Sequence, residues 1–158
     1  VAGFEVGFAG LMCLVSLGCG VGARTRARRI DLPGGCRGVT AALAAVVPGM
    51  LLAAATALTR SVALALVAAA ALGIGYGLLL VGGLMEVQRI AGPDDLAGLT
   101  AVFYSLSYVG FFVPAVLAAI SPVIGYPTLF VAGAVIAALS AALVWRAHVN
   151  GKRRALAA

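Results

Sequence analysis

Residues 62–85 read VALALVAAAALGIGYGLLLVGGLM, a run without a single charged side chain. Coiled as an α-helix at 1.5 Å per residue, such a run is about 36 Å long. A hydrocarbon core about 30 Å thick needs ~20 helical residues to cross it, so this stretch is long enough to span a bilayer with some tilt. Working outward, four further stretches meet or exceed that length: residues 1–22, 38–58, 96–120 and 126–145. The expected fold is all-α, a polytopic transmembrane bundle of five helices. It leaves loops at residues 23–37 and 86–95 on one side, and a tail at 146–158.

Composition points the same way. The chain of 158 residues is 63% hydrophobic and 10% charged, with a mean hydropathy of +1.14, more apolar than a soluble domain of this size can bury. The net charge of +6 would suggest nucleic acid in a soluble protein. Here its distribution explains it. Arg24, Arg26, Arg28, Arg29, Arg37, Arg89, Arg146, Lys152, Arg153 and Arg154 fall on one face of the alternating spans, and only Arg60 on the other. Basic residues resist translocation, so the asymmetry predicts an external start, a cytoplasmic C-terminus and residence in the cell (inner) membrane. Arg24, Arg26, Arg28 and Arg29 are topology determinants, and the lipid bilayer, not nucleic acid, is the expected partner. The chain opens with Val1 directly in its first span, with no signal-peptide leader, and is read as the C-terminal portion of something longer.

Glycine and proline punctuate the spans. Gly3 with Gly7, and Gly18 with Gly22, have the four-residue spacing that admits a neighbouring helix, and ordinary tight packing is the favoured account. Pro48-Gly49 interrupts the second span and predicts a kink. Gly73 and Gly77 in the third mark close packing, unwinding or a hinge. In the connection that follows, Pro93-Asp94-Asp95 predicts a helix start capped by a carboxylate. Trp145 closes the fifth span at interfacial depth, ahead of the basic tail.

The fourth span is the most polar. At 100° per residue, Thr100, Tyr104, Ser107, Phe111 and Pro114 share one stripe, with Tyr108 on its shoulder and Pro114 a second expected kink. Lipid rewards none of those hydroxyls, so the stripe should face protein or water. It serves either helix packing or a pathway for an amphipathic solute, to which Tyr76 of the third span would contribute.

No catalytic constellation is present. His148 is the only histidine and has no triad partner, and Cys13, Cys19 and Cys36 lack metal-ligand spacing. No phosphate-cradling loop occurs, so neither an enzyme nor a cofactor or metal is expected. Glu5, about one turn inside the first span, either carries a proton, since removal from water favours its neutral form, or reaches the outer interface. The interface reading is favoured. Glu86 and Arg89, three apart, can form an ion pair or gate element.

The order of spans resembles the last five helices, eight to twelve, of a twelve-helix major facilitator superfamily carrier. Residues 20–29 resemble that family's second cytoplasmic motif, Gly-x-Leu-x-Asp-Arg-x-Gly-Arg-Arg, through Gly20, Arg28 and Arg29. Gly22, Arg24, Thr25 and Ala27 replace its Leu, Asp, Arg and Gly, so the carboxylate's gating role does not carry over to Arg24. Residues 86–91 and 96–101 resemble the connection between helices ten and eleven in bacterial efflux-like members. The resemblance implies a secondary transporter, proton-coupled or facilitative, moving a small amphipathic or drug-like solute. It also implies an N-terminal half as partner. The third span would line the central cavity, the second and fifth would face lipid, and the first and fourth would meet the other half. The competing expectation is a non-transporting membrane scaffold assembling through glycine-rich helix faces.

Overall fold

The computed structural model describes the backbone of residues 2–29, 36–92 and 94–157, and the side chains of 7–25, 38–92 and 94–150. Every regular element among these residues is helical: α1 (Ala2–Arg29), α2 (Cys36–Thr59), α3 (Val62–Ile90), α4 (Leu96–Val109), a 3-10 turn at Gly110–Phe112, α5 (Val113–Ile124) and α6 (Tyr126–Ala157). Among the described residues five segments are long and apolar enough to cross a membrane: Gly7–Thr25, Gly38–Thr59, Val62–Ile90, Leu96–Ile124 and Tyr126–Asn150. The fourth combines α4, the 3-10 turn and α5. This is the architecture of a multi-pass membrane protein.

The distribution of side chains supports that reading. Among the described residues the buried hydrophobic ones are Ala42, Ala54, Ala68, Ala134 and Ala137, and no large side chain is fully buried. Leu14, Leu17, Leu58, Phe112, Ile136 and Leu143 instead point outward, each more than 60% exposed. Water would penalise so much exposed apolar surface, whereas hydrocarbon accepts it. Small residues inside and large ones outside are what helix association in lipid favours, because close backbone approach, not apolar burial, drives it.

The helices lie side by side in the order α1, α3, α2, α6, with α4 against α3 and α5 against α6. Ser16 meets Gly73 and Gly20 meets Gly77, so α1 and α3 run parallel. Gly49 meets Leu72, Val46 meets Gly75 and Val39 meets Gly82, so α2 runs antiparallel to α3. These pairings are the up-down alternation expected of consecutive spans. They gather Arg24, Glu86 and Arg89 at one end of the bundle and leave Arg60 at the other.

Short connections fix the alternation at the Arg60 end. Arg60 takes a left-handed conformation (φ 53°) and its amide donates to the Thr56 carbonyl at 2.8 Å, closing α2. Ser61 then caps α3 by accepting the Leu64 amide at 3.5 Å. Between α5 and α6 the turn is Gly125 alone (φ 76°), its amide bonded to the Ser121 carbonyl at 2.9 Å. A side chain at that φ would be strained.

Several details differ from the sequence reading. The helices continue past their apolar stretches, α3 to Ile90 and α6 to Ala157, since Arg, Lys, Ala and Leu are good helix formers. Asp95 occupies the N-cap of α4 in the αR region and makes no side-chain capping bond, so the expected carboxylate cap is not formed. α2 runs unbroken through Pro48, which sits on its exposed face while Gly49 is buried. The fourth span passes through a 3-10 turn at Gly110–Phe112, and Pro114 stands in the first turn of α5, where a missing N–H costs little. Gly18 and Gly22 face open space, whereas Gly20, with Ser16 one turn earlier, packs on α3.

Candidate functional site

Two close approaches build a cleft at the Arg24 end of the bundle. Gly20 and Gly77 bring α1 and α3 into backbone contact, and Gly83 lets the Phe103 ring of α4 lie against α3. Beyond these contacts the three helices leave a space of about 370 Å³, lined by Val21, Arg24 and Thr25 from α1, Leu80, Val81 and Leu84 from α3, and Tyr104 from α4. Its walls are mostly aliphatic. The polar groups are one guanidinium and two hydroxyls.

Arg24 is the central charge. The register that sets Gly20 against Gly77 places it level with Val81, and helix side chains lean toward their own N-terminus. Its guanidinium accordingly lies 5.9 Å from the centre of the Tyr76 ring, within cation–π range. Its Nε is buried and has no hydrogen-bond acceptor among the described residues. Thr25 donates its hydroxyl to the Gly22 carbonyl at 2.9 Å.

The stripe of the fourth span is divided. Thr100, Phe103 and Ser107 are half-buried and form the face toward α3. Ser107 donates to the Phe103 carbonyl of its own helix at 2.8 Å, a local bond that satisfies the hydroxyl proton without reaching another helix. Tyr104 is 43% exposed and lines the cleft, with its ring edge-on to Phe103 at 5.6 Å. Tyr108 and Phe111 pair with each other at 6.1 Å and are both more than 60% exposed. No residue of Leu96–Ile124 is buried, so this span is the least covered of the five.

At the same end, Arg89 Nε donates to Glu86 Oε2 at 2.9 Å and Nη2 pairs with Oε1, a bidentate contact one turn apart. The expected pair therefore forms. His148 of α6 is close enough to Glu86 to interact electrostatically. Gly73 and Gly77 lie inside unbroken α3, and their contacts give them a packing role. The side chains of Glu5, Arg26, Arg28 and Arg29 lie outside the described residues. Among the described residues no cluster of His, Cys, Asp or Glu has metal-binding geometry.

A second, more open groove of about 550 Å³ lies at the opposite end, between α1, α2, α3 and α6, with Met12, Thr56, Arg60, Leu72, Tyr126 and Phe130 on its walls. Sequence reasoning placed Tyr76 and Tyr104 on a pathway and the structure brings both to Arg24. It did not foresee Thr25, Leu80 or Leu84 as neighbours, nor Arg24 as part of a cleft. No single-sequence signal reports which faces of two helices meet.

No protein-family model matches this sequence, and no curated protein and no solved structure is significantly similar to it.

Proposed function

We propose that the chain is the C-terminal part of a secondary transporter of the major facilitator type, moving a small amphipathic solute by alternating access. The observation that carries this reading is the uncovered polar and aromatic face of the fourth span. Tyr104, Tyr108 and Phe111 stand free at membrane depth beside a cleft, where lipid would leave two phenol hydroxyls without partners. A face of this kind is stable against water, a solute or another helical domain. The coarse order of helices is in keeping with it, since α3 lies between α1, α2 and α4. Proton or other ion coupling is part of the proposal by resemblance alone.

The test is flux in vesicles containing the intact carrier, using anionic, neutral and cationic amphiphilic dyes. Tyr104→Ala and Ser107→Leu are expected to reduce flux while membrane abundance stays at the parental level. Loss of abundance alone would assign the stripe to packing, and no flux above empty vesicles for any dye would refute transport. One observation favours a second reading, a scaffold: Gly18 and Gly22 remain open for another helix. In that case cross-linking at Gly18 recovers a fixed partner and solute flux is absent.

A further inference from the structure

We infer that the cleft between α1, α3 and α4 is a binding site for an anionic amphiphile, a carboxylate or phosphate group on an apolar body. The inference rests on the transport reading for its role as a substrate site, but not for binding itself. Three features of the cleft meet that chemistry. Its polar lining is Arg24, Thr25 and Tyr104, of which the Arg24 cation and the Tyr104 hydroxyl can donate, the Thr25 proton being given to the Gly22 carbonyl, while Val21, Leu80, Val81 and Leu84 supply apolar walls. Among the described residues Arg24 meets no carboxylate, because the ion pair at this end joins Glu86 to Arg89. Among the described residues the guanidinium meets the Tyr76 ring, which stabilises the cation without neutralising it or accepting the buried Nε proton.

Arg24 is half-buried, and a buried Nε–H without an acceptor is costly. An oxyanion seated in the cleft would supply the missing charge and acceptors, in the bidentate geometry that arginine offers carboxylates and phosphates. Cationic solutes are disfavoured by the same charge. The groove at the opposite end serves as an internal comparison. Its arginine, Arg60, is exposed at a helix terminus and already solvated.

The experiment measures binding of dodecyl phosphate, dodecyl maltoside and dodecyl trimethylammonium to the intact chain in phosphatidylcholine nanodiscs, by calorimetry. Dodecyl phosphate should bind most tightly, Arg24→Gln should weaken it by about tenfold or more, and Arg24→Lys should recover part of the loss. Tyr104→Phe, which removes one hydroxyl and keeps the ring, should weaken it by several-fold, and Arg60→Gln should leave it unchanged. Repeating the titration with phosphatidylglycerol in the disc separates the sources of the anion. If the lipid displaces dodecyl phosphate, the cleft is occupied by a membrane headgroup; if not, it selects a free solute. Both results support an anion site. Equal binding of the three detergents, or an Arg24→Gln affinity within twofold of the parent, would overturn it. Arg24→Gln that fails to insert leaves the Tyr104→Phe result to decide, with unchanged affinity counting against the site. Binding without flux in the dye assay would retain the site and refute the transport reading.

Discussion

Replacing Gly73 by alanine tests whether backbone contact between α1 and α3 organises the bundle. A Cβ added at Gly73 would lie 2.8 Å from Ser16 Cα and would overlap the Ser16 carbonyl. Carbon atoms settle at about 3.5–4.0 Å, so the two helices must part by about 1 Å. No rotamer change relieves the overlap because the obstacle is main chain. Overpacking of this kind costs about 1–3 kcal/mol, against which the better helix propensity of alanine returns up to ~1 kcal/mol. The expected net loss is about 1–2 kcal/mol. Gly18→Ala is the control, since nothing lies within 4 Å of a methyl there and only the propensity gain remains. Ser16→Gly, combined with Gly73→Ala, should not restore stability, because it removes a side chain and leaves the carbonyl in place. The assay is unfolding of the purified chain by dodecyl sulfate in mixed micelles. Equal midpoints for Gly73→Ala and Gly18→Ala would refute the interface, and rescue by Ser16→Gly would show that the contact is made by side chains.

Other outcomes follow from the same geometry. The Glu86–Arg89 pair is largely solvent-facing on the arginine side, 62% exposed, so a double-mutant cycle with Gln at each position should give a coupling below about 1 kcal/mol, shrinking in high salt. Pro48→Ala restores a backbone donor on the exposed face of α2 and should leave stability unchanged or raised, by up to ~3 kcal/mol, with a loss of stability counting against a helix that is continuous there. Gly125→Ala forces a side chain into a conformation only glycine adopts comfortably, and should lower stability by about 1–3 kcal/mol in the same assay. Cysteines placed at Arg60 and at Arg89 should react with impermeant maleimide from opposite faces of sealed vesicles, and labelling from one face would contradict the alternation of spans.

The spans were legible because each is a run of apolar residues long enough to cross a bilayer, and the helix starts at Val62, Leu96 and Tyr126 coincide with those read from composition. What composition could not report is pairing. Spacing alone singled out Gly18 and Gly22, yet Gly20 and Ser16 meet α3, because glycine is so frequent that several registers look alike. The 3-10 break at Gly110–Phe112 was displaced from its proline for a related reason. Pro114 removes a donor from the first turn of α5 and disfavours helix before it, so the deformation appears upstream. Arg24 illustrates the limit at the candidate site. Its position among four nearby arginines explains itself as a topology signal, and only its contact with Tyr76 and its place beside Tyr104 give it a second task.

An interior built from alanine and glycine changes what mutagenesis can reveal. In a soluble domain, truncating large core residues opens cavities, and the losses map the core. Here there is almost nothing to truncate: Ala42, Ala54, Ala68, Ala134 and Ala137 can give up only a methyl group. An alanine scan would therefore touch mostly outward-facing Leu, Val and Ile, and would return a nearly flat profile. A scan that enlarges residues would be informative, with sensitivity concentrated at Gly49, Gly73, Gly75, Gly77 and the five alanines. The contrast between the two scans is a property of the fold, readable by any abundance screen without knowledge of the protein's activity.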